Sequence, residues 1–140
     1  MLRQIKEQDW LKIKKLLFEI AEQSFDKVVS EVLEKKIKED YERFPEGFII
    51  SEDNKNLIGL LWFEVFPEKK SAFVHAIYVE PEYRGKGVSD ELISYLEDYC
   101  KKEKLNKIEL NVSLNLQYAI KFYKRKGFQI KRYFMSKRVK

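Results

Sequence analysis

A loop that holds two glycines and two cationic side chains is the part of the sequence best suited to bind a charged ligand. Residues 84–89 run Arg-Gly-Lys-Gly-Val-Ser. Glycines at alternate positions let backbone N–H groups turn toward one point, and a helix that begins at Val88 adds its unpaired first-turn N–H groups and the positive end of its dipole. Arg84 and Lys86 add full charges. This arrangement predicts an anion site, with a phosphate or diphosphate as its natural ligand.

Two familiar phosphate-binding patterns do not account for this loop. The sequence has no pair of glycines that flank four residues and precede Lys and Ser or Thr, as a P-loop requires. The dinucleotide pattern of three glycines begins at Gly85 and continues at Gly87, but Asp90 stands where the third glycine belongs. Taken alone, the loop is therefore either an anion site or an ordinary tight turn.

The single histidine is a candidate for acid–base chemistry. It lies in the apolar segment 73–79, where strand alternation places four side chains on one face: Phe73, His75, Ile77 and Val79. An imidazole in such a segment is either a base or a satisfied core residue. Its rival is Glu64, which alternates with Leu60 and Trp62 in the segment before it. We expect Glu64 to be a solvated carboxylate; if its face lines a cleft, it orients water or binds a cation.

These residues must be positioned by an α/β (α+β) arrangement of elements. Alternating apolar residues predict strands over residues 2–5, 48–51, 56–66, 71–79 and 107–112, with a last strand-like segment over 128–139. Apolar residues at helical spacing predict helices over residues 10–23, 27–41, 88–103 and 115–126. This order predicts a mixed, mostly antiparallel sheet with helices on both faces and a right-handed crossover through the third helix.

Helical spacing also assigns the inward faces of the first two helices. The expected core positions are Leu11, Ile13, Leu17 and Ile20 in the first helix, and Val29, Val32, Leu33 and Ile37 in the second. The end of the second helix and the segment after it carry carboxylates among aromatic residues: Glu39, Asp40, Glu42 and Glu46 with Tyr41, Phe44 and Phe48. Such a mixture suits a cationic amine, but we favour an ordinary solvated helix end.

Composition predicts one domain over residues 1–140. The chain has 140 residues and is 44% hydrophobic, which is enough for one core and leaves no room for a second. Its longest apolar run, residues 57–63, is far short of the roughly 20 residues that span a bilayer, and its first residues lack the apolar core of a signal peptide. One cysteine, Cys100, favours a reducing cytoplasm. With one His and one Cys, a zinc site of such ligands is excluded, and we expect no metal.

Charge is distributed unevenly along the chain. The formal net charge is +5, but residues 101–140 hold 13 Lys or Arg and two acids, whereas residues 1–100 hold 15 basic and 21 acidic side chains. A basic C-terminal third favours a phosphate-bearing ligand, which is a nucleotide, a cofactor or a nucleic acid. Solvation of helix faces by lysines is the alternative.

Two linked motifs resemble signatures of the GNAT N-acetyltransferase superfamily. Residues 77–88, Ile-Tyr-Val-Glu-Pro-Glu-Tyr-Arg-Gly-Lys-Gly-Val, are similar to its acetyl-CoA-binding motif, whose pattern falls on Arg84, Gly87 and Ser89. Residues 119–128 resemble its second signature, in which Ala is followed four residues later by Tyr, here Tyr123, and then by Gly-Phe. Ser89 replaces the family's usual Gly or Ala. Leu116 replaces an Asn found in many members, and the adjacent Asn115 restores a polar contact if the register differs by one.

This resemblance covers essentially the whole chain and implies the GNAT fold with direct transfer of acetyl from acetyl-CoA to an amine. The residues that it implies for binding the cosubstrate are Ile77, Tyr78, Val79, Arg84, Gly85, Lys86, Gly87, Val88, Ser89 and Asn115. It implies that Tyr123 protonates the leaving thiolate, although packing against Phe128 is the alternative role for this side chain. It also implies that His75 acts as base, because arylalkylamine N-acetyltransferases carry a histidine at the equivalent position.

The sequence also leads to expectations for the acceptor and for the assembly. A small-molecule amine is our first expectation, bound between residues 25–48 and the C-terminal strand, and the short C-terminal tail is typical of small members that form homodimers. The alternatives are an enzyme that acetylates protein N-termini or lysines, a non-catalytic acyl-CoA-binding module, and a nucleic-acid-binding protein. We rank the last lowest and expect no membrane partner.

Overall fold

Five apolar segments form one mixed sheet. The computed structural model describes residues 1–24 and 30–140, with side chains for residues 1–20 and 31–140. Within these residues the strands lie side by side in chain order: β1 (Leu2–Gln4), β2 (Phe48–Asp53), β3 (Asn56–Phe66), β4 (Ser71–Val79) and β5 (Lys107–Leu110). Neighbours are antiparallel except β4 and β5, which are parallel. A parallel pair requires a crossover connection, and a helix between the two strands supplies it.

Helices cover both faces of the sheet. They are α1 (Trp10–Ser24), α2 (Ser30–Arg43), α3 (Val88–Lys102), which is the crossover, and α4 (Gln117–Arg125). One core joins α1 and α2 to the sheet and includes Ile13, Leu17, Ile37, Phe48, Ile50, Leu60 and Trp62. The other joins α3 to the opposite face and includes Ile49, Leu61, Phe63, Val74, Leu92 and Leu96. No described helix is both long and apolar enough to cross a membrane.

An irregularity in β4 separates its two halves. Trp62 of β3 pairs with Ala76, and the next residue, Phe63, pairs with Val74, so that His75 is an extra residue on β4. Such a β-bulge bends the strand and changes which face the side chains point to. The pairing of β4 with β5 ends just before the bulge, at Val74 and Leu110. The second half of β4 therefore has one edge that no strand of the described chain covers.

The predicted elements agree with the structure except at the C-terminus. The predicted bounds of β3 and β4 are the observed ones, and the other elements begin or end within a few residues of the prediction. The strand-like segment over 128–139 is wrong: those residues form no strand, because no edge in the structure pairs with them, and almost all their side chains are exposed. Leu11 and Val32, predicted to be buried, are 78% and 68% exposed. Residues 27–29 of the second predicted helix, including Val29, lie outside the described residues.

Candidate active site

The glycine-containing loop between β4 and α3 has the geometry of an anion site. Gly85 and Gly87 have φ angles of +77° and +88°, and a Cβ on either would meet nothing within 4 Å. Both glycines therefore provide the left-handed conformation that the turn requires, and leave its outer surface open. Gly87 is the N-terminal capping residue of α3, and as a glycine it has no side chain that could cap the first-turn N–H groups. The first-turn amides of α3, including that of Ser89, are thus available to a ligand.

The two cationic residues of the loop are held beside the end of β4. The Arg84 Nε–H donates to the Val79 carbonyl oxygen at 3.0 Å, and its guanidinium lies 5.8 Å from the centre of the Tyr78 ring. The Lys86 ammonium lies 5.4 Å from the centre of the Tyr83 ring. The predicted loop residues and the end of the strand are therefore brought together as one positively charged surface.

Asp90, which stands where a third glycine would fall, is also accommodated. Its carboxylate, in the first turn of α3, pairs with Lys126 at the C-terminal end of α4. This pairing offsets the negative charge that would otherwise face a bound phosphate. Asn115 is different, because it is exposed in the turn before α4. Its backbone N–H donates to Ser113 Oγ at 3.3 Å, which is a local hydrogen bond.

Tyr123 is a buried phenol that packs among aromatic rings. It is 8% exposed, and its ring packs edge-on against Phe122 and Phe128 at 5.5 and 5.4 Å between centres. The predicted packing on Phe128 is therefore present. Burial raises the pKa of Tyr123 to about 12, so that the phenol keeps its proton at neutral pH.

His75 lies on the α2 side of the sheet. Its ring packs on Trp62 at 4.5 Å and on Phe73 at 5.0 Å between centres. Ile77 and Val79, by contrast, pack in the α3 core. The prediction that these side chains share one face is wrong, because the bulge at His75 reverses the alternation along the rest of β4.

A charged cluster from α2 and β3 surrounds the histidine. His75 Nε2 lies 2.6 Å from Glu64 Oε1. The Lys36 ammonium donates to Asp40 Oδ1 at 3.1 Å and to Glu64 Oε1 at 3.2 Å, and Arg43 donates to Asp40 Oδ1 at 2.9 Å and to Glu64 Oε2 at 2.8 Å. The donor atoms of Asp40, Glu64 and His75 all lie within 4.8 Å of one another. Two carboxylates and two cations thus form a compact network beside one imidazole.

Burial distinguishes this network from an ordinary surface cluster. Asp40 is 3% exposed and Glu64 is 7% exposed. The expectations of a solvated Glu64 and of a solvated α2 end are therefore wrong for these two residues, because α2 packs over the end of β3 and covers both carboxylates. The spacing of Lys36, Asp40 and Arg43, four and three residues apart on one helix face, is the sequence signal that would have found the cluster.

Opposing effects set the ionisation of the cluster. Burial lowers the pKa of His75 and outweighs the Glu64 carboxylate, which acts to raise it. For Glu64, burial acts to raise the pKa, but hydrogen bonds from His75 and Lys36 outweigh it, and the pKa falls. For Lys36, burial acts to lower the pKa, but hydrogen bonds to Asp40 and Glu64 outweigh it, and the pKa rises. At neutral pH the network therefore holds an ionised Glu64 beside a neutral imidazole.

Comparison with known families identifies the family of the chain. The model of the acetyltransferase (GNAT) family matches residues 13–128, which include both the glycine loop and Tyr123. This chain belongs to the GNAT acetyltransferase family. The resemblance seen in the motifs is confirmed.

Individual relatives of this GNAT chain support the same assignment. An uncharacterised N-acetyltransferase of Methanocaldococcus jannaschii is 34% identical over 94 residues, which are 64% of this chain and 42% of that protein. A spermidine N(1)-acetyltransferase of Vibrio cholerae is 34% identical over 113 residues, 79% of this chain and 62% of that protein. The chain thus spans between about two fifths and three fifths of the length of these two relatives.

Solved structures confirm the GNAT fold. The PaiA N-acetyltransferase of Thermoplasma acidophilum, solved in complex with coenzyme A, superposes with a TM-score of 0.76 over 94% of this chain and 90% of that one, at 17% identity. The predicted mixed, mostly antiparallel sheet flanked by helices is therefore confirmed.

Proposed function

We propose that this GNAT chain transfers an acetyl group from acetyl-CoA directly to a primary amine of a small molecule. One observation carries the proposal: the open N-terminus of α3, with Arg84 and Lys86 beside it, adjoins the uncovered half of β4. A diphosphate fits the N-terminus of α3. An extended chain such as pantetheine fits the uncovered half of β4, because the unpaired backbone groups of a strand edge donate and accept hydrogen bonds. The spermidine N(1)-acetyltransferase relative supports an amine as the acceptor.

We expect the cosubstrate to extend from the loop over residues 84–89 to the bulge at His75 in β4. Residues 84–89 bind the diphosphate through backbone N–H groups and two cations, and the backbone of Ile77, Tyr78 and Val79 binds the pantetheine and the thioester carbonyl. N–H groups directed at that oxygen would stabilise the negative charge that develops on it. The amine nitrogen then bonds to the carbonyl carbon while the carbon–sulfur bond breaks.

Two side chains move the protons in this proposal. The acceptor ammonium must lose a proton to attack, and His75, kept neutral by its burial, accepts it on Nδ1, because Nε2–H donates to Glu64. The Glu64 carboxylate 2.6 Å away stabilises the resulting imidazolium. The leaving thiolate takes the Tyr123 phenol proton, which is present at neutral pH because burial raises the pKa of the phenol to about 12. The second proton, which the nitrogen loses as the amide forms, then restores the phenol.

Binding of acetyl-CoA is tested first by thermal unfolding. At 100 times the dissociation constant, a ligand stabilises the folded state by about 2.7 kcal/mol, which corresponds to a rise in Tm of very roughly 8 °C for a domain of this size. Adenosine 3',5'-bisphosphate is the control, because it lacks the pantetheine that β4 is proposed to bind. No shift at millimolar acetyl-CoA would contradict the proposal.

Catalysis is tested by release of CoA with a panel of amines. Tyr123→Phe is expected to lower kcat about 100-fold or more, which is the usual contribution of a general acid, and to leave the KM for acetyl-CoA little changed. Tyr118→Phe is the matched control, since Tyr118 lies on the same helix and is 64% exposed. A shift with acetyl-CoA, but no CoA release with any amine or peptide, would show a non-catalytic acyl-CoA-binding module instead.

We also propose that the chain forms a homodimer and acts in the cytoplasm. The first rests on the exposed apolar side chains of residues 128–140. The second rests on Cys100, a buried free thiol of the kind that a reducing compartment preserves.

A further inference from the structure

The charged cluster under α2 already binds an alkylammonium group, which is that of Lys36. Its nitrogen lies 3.1 Å from Asp40 Oδ1 and 3.2 Å from Glu64 Oε1. The two carboxylate side chains are 4% and 10% exposed, whereas the Lys36 side chain is 42% exposed. The carboxylates are therefore fixed parts of the fold, and the ammonium is the end of a flexible arm that reaches them from the surface.

This cluster has one unfilled hydrogen-bonding position. Asp40 Oδ2 is buried and has no hydrogen-bond partner among the residues that the structure describes. A buried carboxylate oxygen without a donor is unfavourable, so the position favours a ligand that supplies an N–H. The same oxygen lies 4.0 Å from His75 Nε2. A nitrogen bonded to Asp40 Oδ2 at about 2.9 Å therefore lies within about 7 Å of His75 Nε2.

A surface hollow with three carboxylates includes Asp40 in its lining. A depression of about 440 Å³ is lined by Lys36, Glu39, Asp40, Glu42 and Arg43. Glu39 and Glu42 are exposed at this surface, whereas Lys36 and Arg43 are already paired with the buried carboxylates. The exposed carboxylates favour the approach of a cation over that of an anion.

We infer that this cluster, Asp40 and Glu64 with Lys36 as an exchangeable occupant, is the acceptor site and binds an unbranched primary alkylammonium, which replaces the Lys36 ammonium. Replacement is required because a third positive charge beside two carboxylates already paired with two cations would be repelled. The slender lysine stem shows the shape of group that fits. This inference rests on the proposed function only for the fate of the amine, because the binding itself needs no acetyl-CoA.

Amine binding is therefore measured by calorimetry without acetyl-CoA, on the full chain. The probes are n-butylamine, 1,4-diaminobutane, Nα-acetyl-lysine methylamide and tert-butylamine, which has the same charge as n-butylamine but a branched carbon at the nitrogen. We expect the unbranched amines to bind at least tenfold more tightly than tert-butylamine, and 1,4-diaminobutane to bind most tightly because Glu39 and Glu42 attract its second charge. Equal binding of n-butylamine and tert-butylamine would overturn the inference.

Two variants test which residues form the site. Asp40→Asn is expected to weaken binding of 1,4-diaminobutane at least tenfold, with melting curves to check that the variant folds. Lys36→Met removes the competing ammonium from an accessible side chain and is expected to tighten binding severalfold, whereas Lys38→Met, an exposed control on the same helix, leaves it unchanged. Wild-type affinity in both Asp40→Asn and Lys36→Met would overturn the inference.

These outcomes are independent of the acetyl-CoA test. A chain that binds acetyl-CoA but no amine refutes the acceptor site and leaves the transferase proposal standing, while a chain that binds amines but not acetyl-CoA does the reverse. Binding of the lysine derivative but of neither free amine supports the alkylammonium site and contradicts a small-molecule acceptor.

Discussion

His75 is a base whose strength is set by opposing neighbours. Its burial against Trp62 and Phe73 lowers its pKa below the usual 6.5, the Glu64 carboxylate acts to raise it, and the Lys36 ammonium acts to lower it. Because burial dominates, the imidazole is neutral at pH 7 and gains a proton only in more acidic solution. The pH dependence of the reaction therefore reports directly on the balance within the cluster.

We expect kcat/KM to fall with decreasing pH below 6.5, as His75 protonates and no longer accepts a proton from the acceptor. The acceptor does not contribute to this limb, because an alkylamine with a pKa near that of lysine, about 10.4, stays fully protonated there. Glu64→Gln removes the group that raises the pKa of His75 and is expected to move the limb to lower pH. His75→Gln is expected to abolish it and to lower kcat about 100-fold.

The measurement is a pH–rate profile from pH 5 to 8 for each variant. Glu31→Gln is the control, because Glu31 is an exposed carboxylate of α2 that does not line the surface hollow at Asp40. A limb centred above 6.5, or one that Glu64→Gln leaves in place, would contradict the assignment of His75 as base.

At the scale of elements, local sequence patterns predict where the strands lie. They do not predict the faces to which the side chains of β4 point, because those faces depend on the bulge at His75. The bounds of β3 and β4 follow from runs of apolar and β-branched residues between turn residues, and the structure confirms them. The bulge at His75 is different, because a one-residue insertion in the pairing leaves no mark on the strand itself and depends on β3. Burial of Asp40 likewise depends on how α2 packs over β3, which no single segment encodes.

Gly59 is the contact through which the sheet positions the start of α3. A Cβ on Gly59 would lie 2.9 Å from Val88 Cγ1 and 3.3 Å from the Tyr78 carbonyl oxygen. Since Val88 is the first residue of α3, Gly59→Ala is expected to displace the helix N-terminus. Overpacking of this kind destabilises by about 1–3 kcal/mol, and we also expect acetyl-CoA to bind severalfold more weakly.

Gly47→Ala separates the two effects. A Cβ at Gly47 would clash with the carbonyl oxygen of Phe63 and with the Phe44 ring, away from the loop over residues 84–89. It should therefore lower the Tm without changing the dissociation constant of acetyl-CoA. Calorimetric titration and thermal melts of both variants provide the comparison. Unaltered acetyl-CoA affinity in Gly59→Ala would show that the N-terminus of α3 does not bind the diphosphate.

At the scale of the whole molecule, the C-terminal segment is the feature that one copy of the chain leaves unexplained. Within residues 128–140 the exposed apolar side chains are Ile130, Tyr133, Phe134, Met135 and Val139, and Phe134 is 98% exposed. Apolar groups this concentrated usually mark an interaction surface. Basic residues between them also permit the nucleic-acid alternative, which predicts binding that weakens steeply with salt.

We expect a second copy of the chain to cover this segment. The intact chain, whose mass is 16.9 kDa, should then elute with twice that mass in light scattering coupled to size exclusion. A chain that ends after Phe128 keeps the ring that packs on Tyr123 and should be a monomer with a similar Tm. Phe134→Ser, a change at a side chain that is 98% exposed in the single copy, should also weaken the dimer, because a hydroxyl replaces a large apolar group at the interface. A monomeric intact chain at 100 µM, or a truncated chain that remains dimeric, would rule out residues 129–140 as the dimer interface.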